Sequence, residues 1–176
     1  MFPEGFLFFI AFPNTHLAYI AMEFEQALLK LAAFCAYRER CSREVRSKMT
    51  EWELPDALQE RLIHYLQQEN YLDDERFAMA YVRSKFRQQH WGKIKLRLML
   101  QQKGLPDELI HRALHSIDKD EYWQTLLELA EKKAAQLAAK PKSATPQRSI
   151  FQFLARKGFE ADLVAEAVRI VWKITR

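Results

Sequence analysis

Residues 96–117 read LRLMLQQKGLPDELIHRALHSI, and residues 150–171 read IFQFLARKGFEADLVAEAVRIV. Laid one over the other at an offset of 54 positions, Leu96, Leu100 and Leu105 fall on Ile150, Leu154 and Phe159. Ile110, Ala113 and Ile117 fall on Val164, Ala167 and Val171 in the same register. Apolar matches alone are what any two amphipathic helices give by chance. The shared Lys-Gly dipeptide, Lys103-Gly104 over Lys157-Gly158, is not. Moving back by 51 positions, Leu105-Pro106-Asp107 becomes Leu54-Pro55-Asp56, with Val45 and Met49 standing where Leu96 and Leu100 stand. The chain therefore reads as three copies of one helical unit.

The rest of the sequence agrees. Pro55, Pro106, Pro141 and Pro146 fall between periodic segments, as proline's poor fit to a helix interior requires. Helices are expected at 23–38, 42–51, 55–69, 74–89, 92–103, 106–116, 119–138, 146–157 and 160–174. Ser42, Asp73 or Asp74, and Thr145 are the candidate N-caps. Gly104 and Gly158 each follow a lysine at a helix end, where a left-handed residue closes the last turn. Good helix formers dominate, and no Val/Ile/Thr alternation suggests a strand. The expected fold is all-α: three tandem three-helix repeats forming an elongated curved helical array, since units of this size stack on their neighbours to complete a core. The units are drawn at 22–70, 71–117 and 118–176, with residues 138–146 expected to hinge the third against the second.

Residues 1–21 stand outside this scheme. Their apolar runs lack the basic start of a secretory signal, the first Lys or Arg being Lys30. Pro13, Asn14 and His16 interrupt what would have to be an unbroken membrane span. They are read as an upstream extension of the kind a misplaced start codon produces, ahead of Met22. The two cysteines, Cys35 and Cys41, suit a reducing compartment and offer no disulfide framework.

Charge is distributed unevenly along the 176 residues. From Phe77 to Pro106 there are seven cations and no carboxylate: Arg83, Lys85, Arg87, Lys93, Lys95, Arg97 and Lys103. The chain totals +4, so everything outside this stretch sums to −3. Tyr81, Phe86 and Trp91 are threaded through the same segment. Clustered cations with interleaved aromatics point to a polyanion, or to a protein surface carrying one. The alternative is a solvated face whose counter-charges come from elsewhere in the fold. The candidate binding residues are Arg83, Lys85, Arg87, Trp91, Lys93, Lys95, Arg97 and Lys103.

Catalytic signatures are missing. Gly5, Gly92, Gly104 and Gly158 are isolated, so no phosphate-cradling loop forms, and there is no zincin motif or nucleophile elbow. His111 and His115, one turn apart, are two potential ligands without a third. Asp73-Asp74-Glu75 opens a helix, where carboxylates favour the positive dipole end. The turn at Gly104 resembles that of a helix-turn-helix, but the helix after it begins with Asp107 and Glu108, which would meet phosphates badly. No cofactor or metal is expected, and the chain reads as a binding protein.

Several stretches carry a family resemblance. Tyr37 to Arg46 (YRERCSREVR) is similar to the first-repeat signature of the RecX regulatory proteins. Asn70 to Ala78 (NYLDDERFA), with Tyr81-Val82, Arg87, Trp91-Gly92 and Lys103-Gly104, resembles the central signature. Phe153 to Phe159 (FLARKGF) resembles the third. The resemblance covers about residues 24 to 174. Two positions depart from it: Glu53-Leu54 replaces a Lys-Gly turn in the first unit, and the glycine common near His90 is missing. The resemblance implies a cytoplasmic regulator of the RecA recombinase, and a monomer is expected. Such a protein binds RecA or lies in the groove of the RecA–single-stranded DNA filament and restrains filament growth, ATP hydrolysis and strand exchange. Some members also bind DNA directly. The runner-up is a helical-repeat nucleic-acid-binding protein with no recombinase partner. A third reading is a scaffold whose basic strip meets acidic membranes.

Overall fold

The computed structural model describes residues 15–139 and 145–174. They form nine helices and no strand: α1 (Thr15–Tyr37), α2 (Ser42–Glu51), α3 (Asp56–Gln68), α4 (Asp74–Gln89), α5 (Lys93–Gln102), α6 (Asp107–His115), α7 (Lys119–Ala138), α8 (Pro146–Lys157) and α9 (Ala161–Ile174). Most ends agree with the sequence to within a residue. The exception is α1, which begins at Thr15 rather than at Glu23. Most of the 1–21 segment lies outside the described residues.

The helices pack in threes. In the first unit α1 and α2 both lie on α3, in the second α4 and α5 lie on α6, and in the third α7, α8 and α9 pack on one another. The 138–146 connection was expected between units, and residues 140–144 of it lie outside the described residues. Its flanking helices, α7 and α8, both belong to the third unit. The boundary between the second and third units is the short turn before Lys119, whose N-cap Asp118 accepts hydrogen bonds from the Asp120 and Glu121 amides.

The repeat is visible in the backbone. After the middle helix of each unit, the chain closes with the same bond: Leu54 N–H to Met49 O at 3.1 Å, Leu105 N–H to Leu100 O at 3.3 Å, and Phe159 N–H to Leu154 O at 3.3 Å. This is the longer bond of a Schellman closure and needs a left-handed residue just before the donor. That residue is Glu53 (φ 56°), Gly104 (φ 76°) and Gly158 (φ 89°) in the three units. Glu53 thus stands in the place of the glycine and keeps the turn, so the pair that replaces Lys-Gly is Trp52-Glu53 and not the expected Glu53-Leu54. His90, at φ 52°, likewise takes the left-handed position that closes α4.

The three turns differ in what presses on them. A methyl group on Gly158 would stand 2.6 Å from the Lys95 nitrogen and 3.0 Å from its Cα. On Gly104 it would meet only the Arg43 side chain, at 3.4 Å. Each Lys-Gly turn docks on the N-terminus of the middle helix of the preceding unit. The Glu53 turn, in the first unit, carries a side chain where the other two turns carry none.

Docking also completes the helix it meets. Neither Cys41 nor Gly92, the N-caps of α2 and α5, caps its helix with its own side chain. The free amides left at a helix start need acceptors. The next unit supplies them. Asp74 Oδ1 accepts from the Ser42 amide at 2.7 Å, and the Tyr122 hydroxyl accepts from the Lys93 amide at 2.9 Å. Ser42, expected as a cap, is the first helical residue instead.

At the second junction the backbones themselves join. Gly92 N–H donates to Lys157 O at 2.9 Å and Ile94 N–H to Gly158 O at 3.0 Å. At the first junction Cys41 occupies the position of Gly92, and its Sγ, rather than its amide, faces the Lys103 carbonyl at 3.9 Å. Among the described residues no backbone–backbone hydrogen bond joins the first two units there. Burial follows this difference. The second and third units share one core, from Phe77 and Phe86 through Leu96, Leu100 and Leu126 to Phe159 and Val171, with Cys41 as the first unit's contribution. The rest of the first unit has its own core around Leu31, Val45, Met49 and Leu62.

A methyl group at Gly92 would overlap the Gly158 carbonyl and the Phe159 nitrogen. Gly92 has an ordinary φ of −75°, so its requirement is space rather than conformation. Gly92→Ala is therefore expected to destabilise the fold by about 3 kcal/mol or more, at the upper end of overpacking. Gly104→Ala should cost only about 1–2 kcal/mol, for the left-handed backbone. Urea denaturation of both variants checks the order; a Gly92→Ala midpoint equal to wild type would contradict the docking.

Candidate functional site

The basic strip occupies the middle of the array. Arg83, Lys85 and Arg87 project from α4, Trp91 sits in the α4–α5 turn, Lys93, Lys95 and Arg97 are on α5, and Lys103 follows its last residue. The strip sorts into two groups by burial. Arg83, Arg87 and Arg97 are exposed, while all four lysines and Trp91 are half-buried.

The lysines are half-buried because they lie against aromatic rings. Lys95 Nζ is 4.3 Å and Lys85 Nζ 5.5 Å from the centre of the Trp91 ring. Lys85 is also 5.7 Å from the Tyr81 ring, Lys103 lies over Phe77 and Tyr81 at 5.4 and 5.7 Å, and Lys93 is 4.8 Å from the Tyr122 ring. These distances are within the cation–π range, and the aliphatic stems cover apolar surface while the ammonium heads remain at its edge. The aromatics interleaved in the sequence thus hold the lysines in place. Trp91 itself packs on the shared core.

Counter-charges from outside the stretch reach three of its seven cations. Lys103 donates to Glu44 Oε1 at 2.5 Å, Arg87 pairs with Glu121 at 3.4 Å, and Arg97 stands 4.0 Å from Asp107. The Lys103–Glu44 pair is the most enclosed of these, with side chains 26% and 21% exposed, and it ties the second unit to the first. Arg83, Lys85, Lys93 and Lys95 make no ion pair among the described residues. Three cations of the strip thus meet a carboxylate, and the other four meet none among the described residues.

A cleft of about 480 Å³ opens where the first two units meet, lined by Arg38, Glu39, Tyr81, Lys85 and Lys103 among others. Burial raises the Tyr81 phenol above its ordinary value, against the opposing effect of Lys103. Arg38 lies outside the stretch read as basic, and only the packing of unit one against unit two brings it to the lysines.

At the other end of the strip, Tyr122 joins three helices. Its hydroxyl accepts from the Lys93 amide and donates to Glu160 Oε2 at 2.6 Å, and its ring lies tilted between Phe86 and Phe159 at 5.7 and 5.1 Å. Burial, reinforced by the bond to Glu160, pushes the phenol well above its ordinary range. It stays protonated and serves as a structural donor. Burial also raises both cysteine thiols. The His111 and His115 rings lie 3.9 Å apart, and His115 Nδ1 is 2.9 Å from the His111 carbonyl. No group of three or more potential metal ligands occurs among the described residues. None of their helices is long and apolar enough to cross a membrane.

Trp91 anchors the lysines and the core together. Trp91→Ala should lower stability by about 2–3 kcal/mol, at or just below the scale for a fully buried aromatic because the ring is half-buried. A urea titration reads this directly; an unchanged midpoint with lost partner binding would make Trp91 a contact residue instead.

The family description of the second three-helix domain of RecX matches residues 73–114, and that of the third matches residues 120–168. The chain is similar to the regulatory protein RecX of Geobacillus kaustophilus, 33% identical over 150 residues that make up 85% of this chain and 55% of that protein. It is 31% identical to the regulatory protein RecX of Chlorobaculum tepidum over 128 residues, 73% of this chain and 77% of that protein. It spans little more than half the length of the Geobacillus kaustophilus and Bacillus licheniformis relatives. In fold it matches the crystal structure of RecX from Lactobacillus salivarius with a TM-score of 0.78 at 22% identity, covering 86% of this chain and 97% of that one. On these matches, and on the repeated Lys-Gly architecture, the chain belongs to the RecX family.

Proposed function

We propose that the chain regulates the RecA recombinase by binding RecA or the groove of the RecA–single-stranded DNA filament, restraining filament extension, ATP hydrolysis and strand exchange. The observation that carries this reading is the central cationic strip, four of whose members have no carboxylate partner among the described residues. The strip sits on three helical units joined in series, and a row of units presents a long surface rather than a closed pocket. Such a shape suits a filament groove. Family membership supports the same reading. The protein acts as a cytoplasmic monomer, without catalysis of its own.

Cations at the rim of an interface set association rate and salt dependence more than they set contact area. The exposed arginines, Arg83 and Arg97, are the members to test, because neither is part of a unit junction. In the Arg83→Glu/Arg97→Glu variant, far-UV circular dichroism should remain helical. Filament binding should weaken about tenfold or more, which is about 1.4 kcal/mol, and its dependence on salt should flatten. RecA-dependent ATP hydrolysis on single-stranded DNA, measured across substoichiometric and stoichiometric additions, then checks the activity. The wild-type chain should depress the rate and the variant should not. Binding to bare DNA, with no effect on RecA, would favour the nucleic-acid-binding alternative.

A further inference from the structure

Ile94 and Leu98 lie one turn apart on α5 and are 54% and 50% exposed. Residues i and i+4 share a helical face, so the two form one aliphatic patch. It sits in the middle of the basic strip, next to Arg97. The repeat gives a way to judge it. Positions 94 and 98 correspond to Arg43 and Ser47 in the first unit and to Arg148 and Gln152 in the third, all four of them exposed. The other two units carry polar residues there: Arg43 reaches across the first junction to the Gln102 carbonyl, and Ser47, Arg148 and Gln152 lie on the exposed side of their helices. Only the second unit replaces them with aliphatic side chains.

We infer that this face of α5 docks on a protein, seating Ile94 and Leu98 in an apolar cleft rimmed by carboxylates. The aliphatic pair argues against DNA as the occupant of this face. A phosphate backbone is met by charge and hydrogen-bond donors, and single-stranded bases are met by aromatic rings. Isoleucine and leucine offer neither. They do serve as the i and i+4 anchors of a helix laid into an apolar groove. The rim follows from charge: Lys95 and Arg97 flank the pair, and α5 carries no carboxylate. The inference rests on the recombinase reading only in naming RecA as the protein to be tested.

The test gives the second unit the residues that the third already carries in this register: Ile94→Arg with Leu98→Gln. An Ile94→Ser/Leu98→Ser variant, which leaves the charge unchanged, controls for the added cation. Both substitutions fall on the exposed face, and the Ile94 amide keeps its bond to Gly158. Binding is measured to RecA–single-stranded DNA filaments and, separately, to bare oligothymidine. Both variants should lose about tenfold or more in filament affinity, the effect of removing a central apolar anchor. Affinity for oligothymidine should hold for the serine variant and hold or rise for the arginine variant. Filament binding within about twofold of wild type in both variants would overturn the docking while leaving the recombinase reading intact. Loss of oligothymidine binding in the serine variant would also overturn it, by assigning the face to DNA. A wild-type chain that ignores the filament would refute the recombinase reading itself, and this docking with it.

Discussion

Two glycines from different repeats meet backbone to backbone, and the arrangement of the basic strip follows from that contact. Gly92 and Ile94 donate to the carbonyls of Lys157 and Gly158, and no side chain fits between. The contact brings Tyr122 against the start of α5, where its hydroxyl replaces the missing cap. It also brings Lys157 within 2.9 Å of the Gln89 carbonyl at the end of α4. The end of α4 and the start of α5 are thereby fixed from one side. Trp91 lies between them, and Lys85 and Lys95 are both held over its ring.

The junctions are graded along the chain. At the second, main-chain hydrogen bonds and a shared core join two units into one body. At the first, the links are side chains: Arg43 to the Gln102 carbonyl, Lys103 to Glu44, Arg76 to Glu39 and Ser42 to Asp74. Links through charged, partly exposed side chains are individually weak and can rearrange. The first unit, whose core is separate but for the exchange of Cys41 and Leu72, is thus joined less tightly than the other two are to each other, and the Arg38–Lys103 cleft lies along that boundary.

The fold was largely legible in the sequence, because the signals that set it are local or periodic. Lys103-Gly104 and Lys157-Gly158 mark helix ends through a backbone requirement, and the 51- and 54-residue offsets align the cores. What the sequence hid was the pairing of surfaces. Cys41 and Gly92 look unrelated until the fold puts both under a Lys-Gly turn. The 138–146 segment looks like a domain linker from its composition, yet its flanking helices pack together. In the strip, the seven cations were legible and their fates were not. Glu44, Asp107 and Glu121 reach it only through packing, and the aromatic neighbours immobilise lysines that the sequence would leave free. Ile94 and Leu98 did leave a signal, since the repeat register turns both positions outward, but only comparison between units reveals it.

Native-state hydrogen exchange at the Gly92 and Ile94 amides measures the central contact most directly. Both lie at the start of α5, where amides ordinarily exchange early through fraying. If the glycine contact joins the second and third units into one body, they will exchange only with global unfolding, at the rate of core amides in α8. Fast exchange at these two positions, with the α8 core still protected, would contradict the account.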